Sequence, residues 1–247
     1  CFRNEGISPR HNPEFTQDEI YHAFGDYHTM MELTESVVQF VCTELELPEQ
    51  LPYGQLTMKF ATSCLRIPYL ELFAKVTGLA PDDVEAIRKR ALELKLDAEL
   101  KGPVELRNDI FEKVVEETLI DPTFVIDYPV ELCPLAKTRP DDPTIAERFE
   151  LFVGGMEVAN GYSELNDPAE QERRFAGQLA DSTHEWAALD ADYVRALEYG
   201  MPPAGGLGIG IDRLVMLLVN VRNIRDVVLF PLMRPTTGAD VVDNEPS

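Results

Sequence analysis

The sequence predicts an α+β protein, because short alternating segments typical of strands are interspersed with segments of helical periodicity. Phe149–Asp167 contains two alternating runs on either side of a Gly-Gly pair, as expected for a tight β-hairpin. Between Tyr27 and Glu46, apolar residues recur at the spacing of an amphipathic helix. From about residue 66 to 120, three helical patterns are separated by glycine and proline, so we predict a helical insertion within the main fold.

The remaining elements follow from the same patterns and from the turn residues between them. Inside the helical block, Pro81-Asp82-Asp83 supplies the proline and the acidic residues that favour a helix start. The other predictions, in chain order, are a strand–loop–strand over residues 1–25, strands at Gln55–Phe60 and Thr123–Asp127, helices at 168–180 and 190–199, a glycine-rich strand, a helix over Ile211–Asn220 and a final strand at Val227–Phe230.

The composition is that of an ordinary globular protein with an unusual charge. The 247 residues are 45% hydrophobic and 27% charged, and the formal net charge is −22. This charge argues against a large nucleic-acid-binding surface on the chain, yet it allows a small anionic ligand held by a few arginines. No apolar run approaches the ~20 residues needed to span a bilayer, so we expect no membrane partner. The scattered cysteines, without a CxxC pair, indicate free thiols in a cytoplasmic protein (Cys1, Cys42, Cys64 and Cys133).

Two glutamates in the hairpin predict a cation site. If the Gly-Gly pair forms the turn, Phe152 faces Glu157 and Glu150 faces Ala159, so both glutamates lie diagonally adjacent on one face. Two like charges this close repel each other unless a cation lies between them. Mg²⁺ with substrate phosphates is the natural candidate. The alternative is a solvated sheet face on which the two carboxylates tolerate each other.

Alternating glycines near the C-terminal end predict a strand with one face that carries no side chains. Gly206, Gly208 and Gly210 occupy every second position, which allows the close approach of a flat ligand or of another backbone. Their spacing matches neither a Rossmann fingerprint nor a P-loop. Arg213 follows in the first turn of the next helix, where a cation opposes the helix dipole. This placement indicates an anion-binding arginine, with a pairing to a nearby carboxylate as the alternative.

Further residues near the N-terminus and in the hairpin point to ligand binding. Arg3 and Phe15 lie on either side of a loop, and an arginine with an aromatic ring can hold a nucleotide by its phosphate and its base. The alternative for Phe15 is a core position. A carboxylate and a phenol also occur two residues apart at two places, Glu19 with Tyr21 and Tyr162 with Glu164. If they converge, these pairs would form a site for an ammonium or guanidinium ligand.

Three blocks of sequence together resemble the catalytic domain of class II lysyl-tRNA synthetases. FRNEG followed by HNPEFT and EIY resembles motif 2 of that family, FELFVGGMEVANGYSELNDP its glutamate-rich hairpin, and GLGIGIDRLVML with IRDVVLFPLMRP its motif 3 and C-terminal end. The resemblance covers nearly all of residues 1–247 and is loosest at 66–120. It implies a catalytic core built on an antiparallel sheet flanked by helices. It also implies that L-lysine is activated with ATP to lysyl-adenylate and then transferred to the 3′ end of tRNA(Lys).

The resemblance assigns most candidate residues to ATP. Arg3 would bind the α-phosphate and stabilise the charge that develops during attack, and Arg3 and Arg213 are the implied catalytic residues. Arg213 would also reach the γ-phosphate and, with Phe15, sandwich the adenine. Glu150 and Glu157 would hold Mg²⁺ between the phosphates. The remaining implied ATP contacts are Glu5, His11, Gly208 and Gly210.

The resemblance assigns the pairs of carboxylate and phenol to lysine. Glu164 and Tyr21 would lie at the ε-ammonium, and the other enclosing residues would be Glu19, Asn160 and Tyr162. An uncharged amino acid would leave a buried carboxylate unpaired, which costs several kcal/mol. The related aspartyl and asparaginyl enzymes carry an arginine where Glu164 stands, so this residue indicates a basic substrate.

The sequence also departs from the family pattern. It starts at motif 2, so we expect a fragment whose parent supplies motif 1, the dimerisation element, and an anticodon-binding domain of OB type. ATP, L-lysine and tRNA(Lys) are then the partners expected of the full-length homodimer. Two alternatives stay open: a paralogue that transfers lysine to a protein, and a non-catalytic regulatory domain that binds lysine or ATP.

Strict alternation creates a conflict within the hairpin. It places Glu157 on one face and Asn160, Tyr162 and Glu164 on the other, although the resemblance requires metal and lysine in one pocket. We therefore predict a β-bulge or twist near Ala159–Gly161, where the glycine permits it. Regular pairing along the whole strand would contradict this prediction.

Overall fold

A mostly antiparallel six-stranded sheet organises the chain. The computed structural model describes residues 1–4, 6–60, 63–99, 101–181 and 190–232, with the backbone alone for 178–181. The strands are β1 (Gln17–Ala23), β2 (Gln50–Tyr53), β3 (Leu56–Lys59), β4 (Leu65–Pro68), β5 (Thr123–Pro129), β6 (Ile145–Val153), β7 (Met156–Ser163) and β8 (Ala204–Gly210). The sheet has the order β1-β8-β7-β6-β5-β4, and β2 and β3 form a separate hairpin. Neighbouring strands are antiparallel except β4 and β5, which are parallel.

Helices complete the predicted α+β fold, which is confirmed. They are α1 (Tyr27–Glu44), α2 (Tyr69–Thr77), α3 (Val84–Glu93), α4 (Pro103–Ile110), α5 (Pro168–Asp181), α6 (Ala191–Glu198) and α7 (Ile211–Leu218). A π-helical turn covers Phe111–Val115, and 3₁₀ turns cover Glu116–Thr118, Val130–Leu132 and Ile224–Asp226. Within the described residues, none of the helices has the length and hydrophobicity that crossing a membrane requires.

Most predicted elements are present, with a few differences. The predicted strand at Val227–Phe230 is wrong: this segment forms a turn and a bend, and Leu229 and Phe230 are each 87% exposed. Its two valines pack against the core, so its apolar character reflects local packing rather than strand pairing. The strand predicted at the start of the chain is reduced to an isolated bridge between Phe2 and Glu14. The two short strands β2 and β4 were not predicted, and the four cysteines are free, as predicted.

The sheet separates two hydrophobic cores. Neighbouring residues of β6 point to opposite faces, so Leu151 lies in one core and Phe152 in the other. The first core packs α1, α7 and the β2–β3 hairpin against the sheet. The second core packs the helical block, in which the Tyr69 ring stacks on Phe111 at 4.5 Å between centroids. The face of β6 that carries Phe152 also leads to the candidate site.

The helical block connects the two parallel strands of the sheet. A parallel pair requires a crossover connection, and α2, α3 and α4 with the turns after them run from the end of β4 to the start of β5. The side chain of Asp83 caps α3 by accepting a hydrogen bond from the Ala86 N–H (3.0 Å). Helices are therefore present where they were predicted. The division into a catalytic core and an insertion at 66–120 stays a prediction.

Candidate active site

The glycines of β8 form the floor of a site flanked by candidate residues on both sides. Gly208 lies opposite Glu19 on β1 and opposite Asn160 on β7. The adjacent rows repeat this arrangement, with Gly206 between Tyr21 and Tyr162 and Gly210 beside Gln17. Because directly opposite residues share a face, all these side chains surround the bare glycine strip. A Cβ at Gly206 would overlap a carboxylate oxygen of Glu164, so a larger residue there would force the Glu164 side chain to move.

A β-bulge in β7 puts the hairpin glutamates on this same face. The pairing of β6 with β7 shifts register so that Val158 is the extra residue. Glu150 therefore lies opposite Asn160 rather than opposite Ala159. The shift also moves Glu157 onto the face that carries Asn160. The predicted β-bulge, which puts Glu157 and Asn160 on one face, is confirmed. Its extra residue lies one position before the predicted segment.

The hairpin glycines serve the turn and close packing instead of the bulge. Gly154 and Gly155 have φ values of 61° and 71°, as a tight turn of this kind requires. Their N–H groups each donate a 2.9 Å hydrogen bond to a carbonyl in 119–120, which anchors the turn to the segment after the helical block. Gly161 allows close packing, because a Cβ there would lie 2.6 Å from Cζ of Phe149.

One cavity of about 380 Å³ collects most of the predicted site residues. Those in its lining are Arg3, His11, Phe15, Glu19, Tyr21, Glu157, Asn160, Tyr162, Glu164, Gly208, Gly210 and Arg213. His11 Nδ1 lies 2.8 Å from Ser8 Oγ, within the loop that precedes β1. Two predicted residues are not in the lining. Glu5 lies outside the described residues, and Glu150 shares the sheet face without reaching the cavity.

One end of the cavity holds a buried carboxylate that no described residue neutralises. Glu164 is 7% exposed, and its carboxylate makes no hydrogen bond or ion pair with the described part of the chain. Burial raises the pKa of Glu164 to about 7. Burial and the Glu164 charge also raise the pKa of Tyr21 and of Tyr162, so both phenols stay protonated near neutral pH. A carboxylate beside two phenols is suited to an ammonium ligand, because a buried charge requires a partner.

The other end of the cavity holds two guanidinium groups. Arg3 lies over the Phe15 ring, 5.2 Å from its centroid, and its Nη2 donates to Gln17 Oε1 at 3.4 Å. Arg213 Nη1 donates to the backbone carbonyl of Glu157 at 2.8 Å and to its carboxylate at 3.2 Å. The alternative in which Arg213 pairs with a carboxylate is therefore the arrangement observed. Both partners are partly exposed, so an anionic ligand can compete for this arginine.

The two hairpin glutamates have separate guanidinium partners. Glu157 binds Arg213, whereas Glu150 binds Arg148 and accepts a 2.6 Å hydrogen bond from the Tyr128 hydroxyl. Glu150 is therefore not on a solvated face. Burial and the Glu150 charge raise the pKa of Glu157, and Arg213 and Arg148 oppose this rise.

This donor set fits a hard divalent cation. Mg²⁺ in proteins is commonly bound by one or two carboxylates together with substrate phosphates. Two carboxylates, Glu150 and Glu157, share the face beside the cavity. Across the described ranges, no three His, Cys, Asp or Glu side chains converge as a metal site made of protein ligands alone would need. The residues therefore suit a cation that arrives with phosphates.

Five polar residues line the cavity although the sequence patterns did not single them out: Arg10, Asn12, Thr16, Gln17 and Asp212. Gln17 precedes Glu19 by two positions, so strand alternation would have placed it on the same face. Asp212 accepts a 2.6 Å hydrogen bond from the Thr16 N–H, which ties α7 to the start of β1. Arg10 donates to the Gly155 carbonyl at 2.7 Å, a contact between distant parts of the chain that no local spacing indicates.

Similarity to known proteins agrees with this geometry. The profile of the family described as tRNA synthetases class II (D, K and N) matches residues 1–234. The chain is 50% identical over 242 residues to a lysine–tRNA ligase of Carboxydothermus hydrogenoformans, an alignment that covers 95% of this chain and 49% of that protein. It is 49% identical over 245 residues to a lysine–tRNA ligase of Pelotomaculum thermopropionicum (95% and 48% covered) and 47% identical over 243 residues to one of Staphylococcus aureus (94% and 48% covered). The chain thus spans about half the length of the curated relatives it matches. It belongs to the class II tRNA synthetase family that comprises the D, K and N enzymes.

Proposed function

We propose that the protein activates L-lysine with ATP to lysyl-adenylate and then transfers lysine to the 3′ end of tRNA(Lys). The observation that carries this proposal is the buried Glu164 carboxylate, which has no cationic partner among the described residues and lies in the same cavity as Arg3 and Arg213. Such a cavity suits a ligand pair with an ammonium group at one end and phosphates at the other. Lysine together with ATP has this distribution of charge, and the relatives that cover the chain are named lysine–tRNA ligases.

The lysine side chain would extend along the glycine strip towards Glu164. Its ε-ammonium would bind Glu164 and the Tyr21 hydroxyl, and Glu19 and Tyr162 would enclose the rest of the amino acid. Asn160 supports this placement, because its Oδ1 is buried and accepts no hydrogen bond from a described residue. A buried acceptor of this kind is costly unless a ligand donates to it.

ATP would occupy the end of the cavity near α7. Phe15 and Arg213 would enclose the adenine, with Arg213 exchanging its contact with Glu157 for the γ-phosphate. The floor at Gly208 and Gly210 would leave room for the nucleotide. His11 would contact ATP from the loop before β1, and Glu5, outside the described residues, stays a predicted contact.

Activation would proceed by attack of the lysine carboxylate on the α-phosphorus of ATP. A bond from the carboxylate oxygen to phosphorus forms, the bond to the bridging oxygen breaks, and pyrophosphate leaves with that electron pair. Arg3 would stabilise the charge that develops on the α-phosphate, which is electrostatic catalysis without a covalent enzyme intermediate. A terminal ribose hydroxyl of the tRNA would then attack the acyl carbon, with AMP as the leaving group.

Mg²⁺ is the cofactor we infer for the ATP complex. Glu150 and Glu157 would hold it, and the cation would neutralise charge on the phosphates and on the pyrophosphate that leaves. Glu157 already lines the cavity, and Glu150 lies on the same face.

The expected partners of the full-length protein follow from the same proposal. We infer that it acts as a homodimer in the cytoplasm, with tRNA(Lys) as its macromolecular substrate. The net charge of −22 supports a tRNA-binding surface that lies largely outside this chain.

Lysine-dependent ATP–pyrophosphate exchange by the full-length protein tests the proposal. We expect exchange with lysine and at most trace exchange with aspartate or asparagine. Absence of exchange, or equal exchange with aspartate, would contradict the proposal. Charging of tRNA(Lys) in the same preparation tests the second step.

A further inference from the structure

Glu150 is held at both carboxylate oxygens by buried partners. Its Oε2 accepts a 2.6 Å hydrogen bond from the Tyr128 hydroxyl, and its Oε1 binds Nη2 of Arg148. The Arg148 guanidinium also lies over the Tyr128 ring, 4.9 Å from its centroid. Tyr128 is 3% exposed, and the other two side chains are largely buried. These three residues form a closed unit, which we call the Glu150 cradle.

A bulge with an unfavourable backbone conformation turns Tyr128 towards Glu150. The pairing of β5 with β6 is regular as far as Ile126 and then shifts, so that Asp127 on β5 lies opposite two residues of β6, Glu147 and Arg148. Asp127 has a φ of 57°, a left-handed conformation that is uncommon outside glycine, asparagine and aspartate. An ion pair with Arg139 at 3.1 Å holds it there. Without this bulge, strand alternation would place Tyr128 on the face opposite to Glu150.

Arg148 is fixed on its other side as well. Its Nη1 donates to the Leu132 carbonyl at 3.1 Å and lies 3.4 Å from Cys133 Sγ. A guanidinium restrained at several points loses little further freedom when it binds a carboxylate, and it sets the direction of that bond. The buried cation in turn requires an anionic partner, which Glu150 supplies.

The cradle leaves Glu150 able to bind a further ligand. A carboxylate has about two acceptor positions on each oxygen, and the cradle occupies one on each. Glu150 and Glu157 are on paired strands of one hairpin and on the same face of the sheet, so the cradle holds the first carboxylate on the side of the sheet that carries the second.

We propose that Tyr128 and Arg148 are positioning residues that hold the Glu150 carboxylate beside Glu157, ready for the divalent cation of the ATP complex. This inference rests on the proposed function, since it concerns the cation that accompanies ATP. It assigns the bulge at Asp127 a role in cation binding, through the orientation of Tyr128. Partners that orient a metal ligand are commonly worth about 10- to 100-fold in metal affinity or activity.

The test compares two buried tyrosines in the full-length protein. Tyr128→Phe removes the hydroxyl that binds Glu150 and keeps the ring. Tyr69→Phe is the matched control, because Tyr69 is fully buried and its ring lies 4.9 Å from that of Tyr128, but its hydroxyl does not bind Glu150. The readout is the dissociation constant of Mn²⁺, measured by electron paramagnetic resonance of free Mn²⁺ with a non-hydrolysable ATP analogue. The lysine KM is measured alongside.

We expect Tyr128→Phe to weaken Mn²⁺ binding about 10-fold and to leave the lysine KM within about twofold, while Tyr69→Phe matches the wild type. Equal Mn²⁺ affinity of Tyr128→Phe and the wild type would overturn the inference, as would a wild type that binds no Mn²⁺ with the analogue. Arg148→Lys, which keeps the charge but loses the guanidinium fork, should weaken Mn²⁺ binding in the same direction and serves if Tyr128→Phe does not fold. Failure of lysine-dependent exchange in the wild type would count against the proposed function instead, because Mn²⁺ binding is measured without turnover.

Discussion

Glu164→Gln should stabilise the free protein and at the same time weaken lysine binding. The pKa of Glu164 is raised from 4.5 to about 7 by burial. When the pKa of an acid is higher in the folded protein than in the unfolded chain, the folded protein keeps its full stability below the unfolded-state pKa. It loses stability as the pH rises through the folded-state pKa, because the buried acid must then ionise. At pH 8 the charged form therefore costs about 3 kcal/mol, which the neutral glutamine does not incur. We expect Glu164→Gln to be up to about 3 kcal/mol more stable at pH 8 and nearly equal to the wild type at pH 4.5.

The same substitution removes the proposed partner of the ε-ammonium. An ammonium buried without a counter-charge costs about 3–5 kcal/mol, so the lysine KM should rise at least about 100-fold. Thermal unfolding at both pH values measures the first effect, expected as a rise of roughly 6–12 °C in Tm at pH 8. Lysine-dependent ATP–pyrophosphate exchange measures the second. Glu198→Gln, which changes an exposed glutamate on α6, is the control for both assays.

Glu164→Gln is expected to stabilise the free protein and to weaken lysine binding, so general damage to the protein cannot produce both results. A Tm at pH 8 that does not rise would show that the Glu164 charge is compensated in the free protein. A lysine KM within about twofold of the wild type would show that the ammonium binds elsewhere. Either result would refute the reasoning.

Three further predictions concern the same cavity. If lysine binds the ionised form of Glu164, its KM should rise about tenfold per pH unit below about pH 7. This slope should be absent in Glu164→Gln, and KM measured from pH 5.5 to 8.5 decides. Gly206→Ala should raise the lysine KM at least about tenfold, because its methyl group would overlap the Glu164 carboxylate. Gly177→Ala is the control, since a Cβ at Gly177 has no atom within 4 Å, and it should leave the lysine KM unchanged. A large effect of both substitutions would point to misfolding. Glu157→Gln should raise the Mg²⁺ concentration needed for half-maximal exchange, because it removes one of the two carboxylates proposed to hold the cation. An unchanged Mg²⁺ requirement would remove Glu157 from the cation site.

The sequence predicted the elements in which a single local pattern governs the fold. Helix α1 buries Met30, Met31 and Val38 against the sheet, and these positions have helical spacing. The strands β2 and β4 were missed; each contains a proline, Pro52 and Pro68, which argues against a strand in a sequence pattern. The strand predicted at Val227–Phe230 was wrong, because apolar composition alone does not supply a hydrogen-bonding neighbour.

The residues of the candidate site were predictable from the sequence, but their contacts with residues distant in the chain were not. Alternation placed Glu19 and Tyr21 on one face of β1, as observed. Strict alternation in β7 put Glu157 and Asn160 on opposite faces, which indicated that a bulge was needed, although the extra residue is Val158 rather than a glycine. The pairing of Arg148 with Glu150 is compatible with strand alternation, since residues two apart share a strand face, but the alternation alone does not show that the two side chains bind each other. Contacts between distant parts of the chain, such as those of Arg10, depend on the assembled fold.

The measurement that tests the central claim most directly is amino-acid selectivity in ATP–pyrophosphate exchange. L-Lysine is compared with 2-aminoheptanoic acid, in which a methyl group replaces the ε-ammonium, and with L-aspartate. If Glu164 selects the substrate by its unpaired charge, kcat/KM for lysine should exceed that for 2-aminoheptanoic acid by at least about 1,000-fold, and aspartate should be inactive. Comparable kcat/KM values for lysine and 2-aminoheptanoic acid would contradict the claim that the buried carboxylate recognises the ammonium group.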